Sequence, residues 1–84
     1  MITIYSAPWC GFCHTAKRYF DQIGVKYQDK DVEKDPSFAV ESVNKSGQMG
    51  VPVIDINGTI IVGFNRPMID EALKTNNLLP SKTD

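Results

Sequence analysis

Cys10 and Cys13 are the only cysteines in the 84-residue chain, and Gly11 and Phe12 separate them. Thiols at this spacing can open and close a disulfide if one sulfur is available as a thiolate. The flanking residues meet that condition. Ile2-Thr3-Ile4-Tyr5-Ser6 reads as a strand, and the residues after Cys10 read as a helix. The first cysteine then falls at or just before the helix N-terminus, where free N–H groups and the positive end of the dipole favour an anion. Cys10 is the candidate attacking residue. Cys13, one turn further on, is the candidate resolving residue.

Composition limits the alternatives. A chain of this length is one domain, residues 1–84, and it has a modest core. The hydrophobic fraction of 42% is that of a globular protein. A net charge of −1 gives no electrostatic footprint for nucleic acid, and no apolar run reaches membrane-spanning length. Met1-Ile2-Thr3-Ile4-Tyr5 lacks the basic and apolar regions of an export signal, so a cytoplasmic setting and no membrane partner are expected. In a reducing compartment, a close cysteine pair points to catalytic or metal chemistry rather than to a structural crosslink.

The elements that must position the pair follow in order. Ile2 to Ser6 is the first strand, and Ala7-Pro8-Trp9 is the loop that delivers Cys10. A helix from Gly11 to about Ile23 would bury Cys13, Ala16, Phe20 and Ile23, and Gly24 would end it. Val25-Lys26-Tyr27-Gln28 reads as a second strand, parallel to the first through a right-handed crossover. Asp35-Pro36 starts a second helix, with Phe38, Ala39, Val40 and Val43 as its apolar face and Ser46-Gly47 as its end. Val53–Ile56 and Thr59–Val62 flank Asn57-Gly58, the preferred pair for a two-residue type I′ hairpin. A third helix runs from about Pro67 to Thr75. Residues 78–84, including Pro80-Ser81-Lys82-Thr83-Asp84, read as a flexible tail. The order β-α-β-α-β-β-α describes an α/β domain with a mixed four-stranded sheet and helices on both faces.

Three motifs give the chain its family resemblance. Cys10-Gly11-Phe12-Cys13 followed by Ala16-Lys17 resembles the glutaredoxin pattern Cys-x-x-Cys-x-x-Ala-Lys. Gly47-Gln48-Met49-Gly50-Val51-Pro52-Val53-Ile54 resembles the Thr-Val-Pro segment of that family. Val62-Gly63-Phe64 leads into the last helix as it does there. The resemblance covers about Ile2 to Thr75. It implies a thioredoxin fold with Pro52 cis and set against the cysteines, and it leaves the Val51 backbone free to pair with an extended peptide. It also implies a dithiol oxidoreductase acting on protein or mixed glutathione disulfides. In that reading the partner docks on Trp9, Phe12, Val51, Pro52, Gly63 and Phe64. The enzyme would be a monomer without a tightly bound cofactor, reduced by glutathione or by thioredoxin reductase. Ser6-Ala7-Pro8-Trp9 stands where glutathione-using members carry a lysine. Gly63-Phe64-Asn65-Arg66-Pro67 resembles the Gly-Phe-Arg-Pro of glutaredoxin-like electron donors to ribonucleotide reductase.

Other chemistries fit the same residues less well. Cys10-Gly11-Phe12-Cys13-His14 spells the c-type haem attachment pattern, but a β-rich chain without an export signal suits it poorly. Two cysteines and one histidine do not complete a four-ligand zinc site, so no metal site is expected. The alternative function is a [2Fe–2S] cluster carrier, since Cys10-Gly11-Phe12 resembles the start of the cluster-binding glutaredoxin motif.

Overall fold

The computed structural model describes residues 1–78. Its elements are β1 (Ile2–Ser6), α1 (Gly11–Gln22), β2 (Gln28–Asp31), α2 (Pro36–Ser46), β3 (Val53–Ile56), β4 (Thr59–Val62) and α3 (Arg66–Thr75). This is the order expected from the sequence. The strands form one mixed sheet in the order β2-β1-β3-β4. β1 runs parallel to β2, with Ser6 opposite Asp31, and antiparallel to β3, with Ile4 opposite Ile54. β3 and β4 form the hairpin. Asn57 and Gly58 both take positive φ, 50° and 97°, as a type I′ turn requires.

Alternation along the strands divides the sheet into two faces. Ile2, Ile4, Ile54, Ile56 and Ile61 point to one face and pack with Ala16 and Phe20 of α1 and Ile69, Ala72 and Leu73 of α3. Tyr5 and Asp55 point to the other face, towards α2. There the contacts are polar. The fully buried Tyr5 donates its hydroxyl to Glu41 at 2.8 Å. Lys30 of β2 pairs with Glu41 at 2.9 Å, and Lys45 pairs with Asp55 at 2.6 Å. Both lysine ammonium groups also lie over the Tyr5 ring, at 5.8 and 5.3 Å.

Three expectations need correction. The second strand is Gln28–Asp31 rather than Val25–Gln28. Val25 is buried in the core, and its N–H donates to the Phe20 carbonyl, so it belongs to the turn after α1. The strand itself is a charged edge. Asp29 reaches Lys17 on the α1 side and Lys30 reaches Glu41 on the α2 side, and such charges protect an edge from further pairing. The apolar face assigned to α2 is also wrong for Val40 and Val43, which are exposed. The sheet-facing positions of that helix are occupied by Glu41, Lys45 and the buried Ser42. Finally, Leu78 packs against the core and its N–H donates to the Leu73 carbonyl at 2.8 Å. The rest of the expected tail lies outside the described residues.

Candidate active site

The turn before α1 is set by Pro8. Cys10 N–H donates to the Ala7 carbonyl at 3.1 Å, closing a β-turn with proline at its second position, where its fixed φ fits. Cys10 is therefore the N-cap of α1, and its Sγ accepts the Cys13 N–H at 3.1 Å. A reduced Cys10 held there sits at the positive end of a helix with no acidic side chain in its first turn. Both features favour the thiolate over the thiol.

Cys10 and Cys13 are joined as a disulfide, with Cα atoms 5.2 Å apart. The two sulfurs are not equivalent. Cys13 is fully buried, whereas Cys10 retains 6% exposure. Ala7, Val32 and Val51 pack around the pair. An apolar surround disfavours ionisation of Cys13.

Of the expected contact residues, Val51 packs against the cysteine pair. The Val51–Pro52 peptide is cis. The Val51 carbonyl oxygen is 3.7 Å from Cys10 Sγ, and the buried Pro52 accepts the Gly63 N–H at 2.8 Å. Trp9 and Phe12 flank Cys10 in the chain and are each 68% exposed. Phe64 is half-buried against the core, with its ring edge-on to Tyr19. It stands further from solvent than Trp9 and Phe12.

Several contacts were not expected. Glu33 accepts the Trp9 indole N–H, and His14 Nε2 lies 2.9 Å from the Pro8 carbonyl. A carbonyl only accepts, so Nε2 carries the hydrogen. Together these two bonds tether both residues that precede Cys10. Val32 reaches the disulfide because its N–H continues the β1–β2 ladder to Ser6 at 2.9 Å. The signal for Val32 and Glu33 is topological: in parallel pairs, the residues after the carboxyl ends of both strands meet. Below this rim, Lys17 and the buried Ser6 converge on Asp29 at 2.9 and 2.6 Å. Burial works to raise the Asp29 carboxyl, but the Ser6 hydroxyl and the Lys17 ammonium outweigh it and hold it below the usual carboxylate range. This cluster ties α1, one turn beyond Cys13, to the sheet.

Among the described residues, no group of three His, Cys, Asp or Glu side chains comes together to hold a metal ion.

A mixed sheet of this order, with a Cys-x-x-Cys at the N-terminus of α1 and a cis-proline beside it, defines the thioredoxin-fold class of proteins with a redox-active cysteine pair. Comparison with known proteins narrows the class. The glutaredoxin family model matches residues 2–61. The chain belongs to the glutaredoxin family. It is 42% identical over 74 residues to a glutaredoxin-like 8.6 kDa protein of the rubredoxin operon of Clostridium pasteurianum, itself uncharacterised; the match covers 88% of this chain and 99% of that protein. Among solved structures, the thioredoxin-like protein BC3987 superposes with a TM-score of 0.81 at 25% identity, covering 87% of this chain and 100% of that one. The NrdH-redoxin of Escherichia coli, a glutaredoxin-like protein with a thioredoxin-like activity profile, superposes with a TM-score of 0.74 at 30% identity; the match covers 96% of this chain and 97% of that one.

Proposed function

We propose that the protein is a dithiol–disulfide oxidoreductase. The observation that carries this reading is Cys10 Sγ at the helix N-cap, accepting a backbone N–H and more accessible than Cys13. In the reduced enzyme, the Cys10 thiolate attacks one sulfur of a substrate disulfide. A Cys10–substrate bond forms, and the other substrate sulfur leaves as a thiolate that takes up a proton. Cys13 loses its proton and attacks Cys10 Sγ, releasing the second substrate sulfur. Two electrons pass to the substrate, and the enzyme is left with the Cys10–Cys13 bond. The free backbone of Val51 receives an extended substrate segment by strand pairing, while Trp9, Phe12 and Pro52 border it.

The electron source proposed for the return step is thioredoxin reductase, with glutathione as the alternative. Two features favour the reductase: Ser6-Ala7-Pro8-Trp9 contains no lysine, and the E. coli relative has a thioredoxin-like activity profile. The proposed setting is the cytoplasm, where a reductant keeps the pair open.

The test is a coupled NADPH assay, run with thioredoxin reductase and, separately, with glutathione and glutathione reductase. Cys10→Ser is expected to abolish exchange, and Cys13→Ser to accumulate mixed disulfides seen by mass spectrometry. Retention of dithiol reductase activity by Cys10→Ser would reverse the assignment. Turnover with glutathione but not with the reductase would overturn the proposed donor.

A further inference from the structure

His14 bonds to the chain on both sides of Cys10. Its backbone N–H donates to the Cys10 carbonyl at 3.2 Å. Its ring Nε2 donates to the Pro8 carbonyl at 2.9 Å. The first bond is an ordinary helical one, open to almost any residue at this place. The second depends on the imidazole. Pro8 lies inside the turn that delivers Cys10, and its carbonyl takes no part in the turn's own hydrogen bond, which runs from the Cys10 N–H to Ala7. A side chain in the first turn of α1 therefore ties the helix to the loop in front of it. Nε2 carries its hydrogen in the charged imidazole as well, so protonation leaves the bond in place.

What this tie contributes depends on the state of the cysteines. In the oxidised protein the S–S bond joins Cys10 to Cys13 covalently, and Cys10 cannot leave the N-terminus of α1. Reduction removes that link. Cys10 is then held at the helix by the 3.1 Å bond between its Sγ and the Cys13 N–H and by whatever fixes its backbone. That backbone is extended, with φ −91° and ψ 109°, so its position is set from the loop side. There Pro8 is held by His14 and Trp9 by Glu33. Glu33 is an exposed residue between β2 and α2. Of these two tethers, only the His14 bond fixes the loop to the helix whose N-terminus must receive the sulfur.

We infer that His14 is a positioning residue of the redox pair: its bond to Pro8 keeps Cys10 at the N-cap of α1 once the disulfide opens, and so favours the dithiol form over the disulfide form. A contact that stabilises the reduced form raises the reduction potential. This inference rests on the dithiol-exchange reading above.

The experiment equilibrates wild type, His14→Ala and His14→Gln in buffers of reduced and oxidised glutathione. In each, the Cys10–Cys13 bond opens as two glutathione thiols join in a disulfide, and two electrons and two protons pass to the protein. Acid quenching, alkylation and mass spectrometry read the reduced fraction. His14→Ala is expected to lower the equilibrium constant for reduction roughly fivefold, the usual effect of one hydrogen bond. That is a shift of about 20 mV towards more negative potential, at about 30 mV per tenfold. His14→Gln keeps an N–H donor without the ring's charge and should stay within about twofold of wild type. Urea unfolding of both redox forms closes the cycle: His14→Ala should lose stability in the dithiol form and little in the disulfide form. An unchanged equilibrium constant, or equal losses in the two forms, would overturn the inference. So would a His14→Gln protein that behaves as His14→Ala does, because the charge of the ring and not its bond would then be at work. If the wild-type pair did not open and close reversibly in these buffers, the exchange reading itself would fail, and this inference with it.

Discussion

On the face of the sheet covered by α1 and α3, five isoleucines of the strands meet Phe20, Ile69 and Leu73, and the contact is dry. On the face covered by α2, Tyr5, Lys30 and Asp55 meet Glu41 and Lys45, and the contact is held by ion pairs and the Tyr5 hydroxyl. The dry face carries α1, and the redox pair at its N-terminal end packs in a small apolar cluster of its own with Ala7, Val32 and Val51. The polar face holds a helix whose Val40 and Val43 remain in water. Hydrophobic burial fixes where the chemistry sits, and directional charge pairs orient α2 so that Val40 and Val43 face outward.

The largest effect that would test this contrast is on the dry side. Phe20→Ala removes a fully buried ring and is expected to cost about 3–5 kcal/mol. That is a large share of the roughly 5–15 kcal/mol typical of a domain, and denaturant unfolding would register it as a collapse of the transition midpoint. A loss below about 1 kcal/mol would mean that this face is not the main source of stability.

On the polar side the effects are smaller. Lys45→Ala breaks a partly exposed pair with Asp55 and is expected to cost about 1 kcal/mol. The same pair predicts a pH dependence. Burial works to raise the Asp55 carboxyl, but the Lys45 ammonium and the Gly58 N–H outweigh it, so it titrates below the usual carboxylate range. The group therefore contributes stability above the unfolded carboxylate value of about 3.9, and that contribution fades as pH falls through the lower folded value. Thermal melts of wild type and Asp55→Asn should converge as the pH falls below about 4. A constant difference between them would contradict this account of the pair.

The smallest effect is the sharpest on orientation. Val40→Ser is expected to change stability by no more than about 0.5 kcal/mol, because the side chain is already in water. A loss comparable to that of a core valine would place it inside instead.

The same contrast explains what could be read from the sequence. β1, α1 and the hairpin were legible because local signals agree there: a β-rich run, a buried stripe at helical spacing and Asn57-Gly58. The apolar Val25 and Tyr27 point to a strand three residues too early, while β2 itself is Gln-Asp-Lys-Asp. Propensity is a poor guide to a charged edge whose partners lie on two different helices. For α2, counting apolar positions gave the right helix and the wrong orientation. The decisive partners, Tyr5 and Asp55, are contributed by other strands.

At the site, Cys10, Cys13 and the cis Pro52 were legible from motifs. The tethers on Trp9 and Pro8 were not. Glu33 is 24 residues from Trp9 in the chain and meets it only once β2 is aligned beside β1. In the sequence His14 stands out only as part of a haem-attachment pattern, whereas its bond to the Pro8 carbonyl holds the turn before the cysteine.

The central claim is that Cys10 is the attacking sulfur and is held ready as a thiolate by the N-terminus of α1. Site-resolved mass spectrometry of the reduced protein during iodoacetamide labelling, repeated from acid to alkaline pH, tests it directly. Cys10 should label first, with a midpoint below the ordinary thiol value, while Cys13 stays protected. A Cys10 midpoint at or above the ordinary thiol value of about 8.5, or faster labelling of Cys13, would contradict the account.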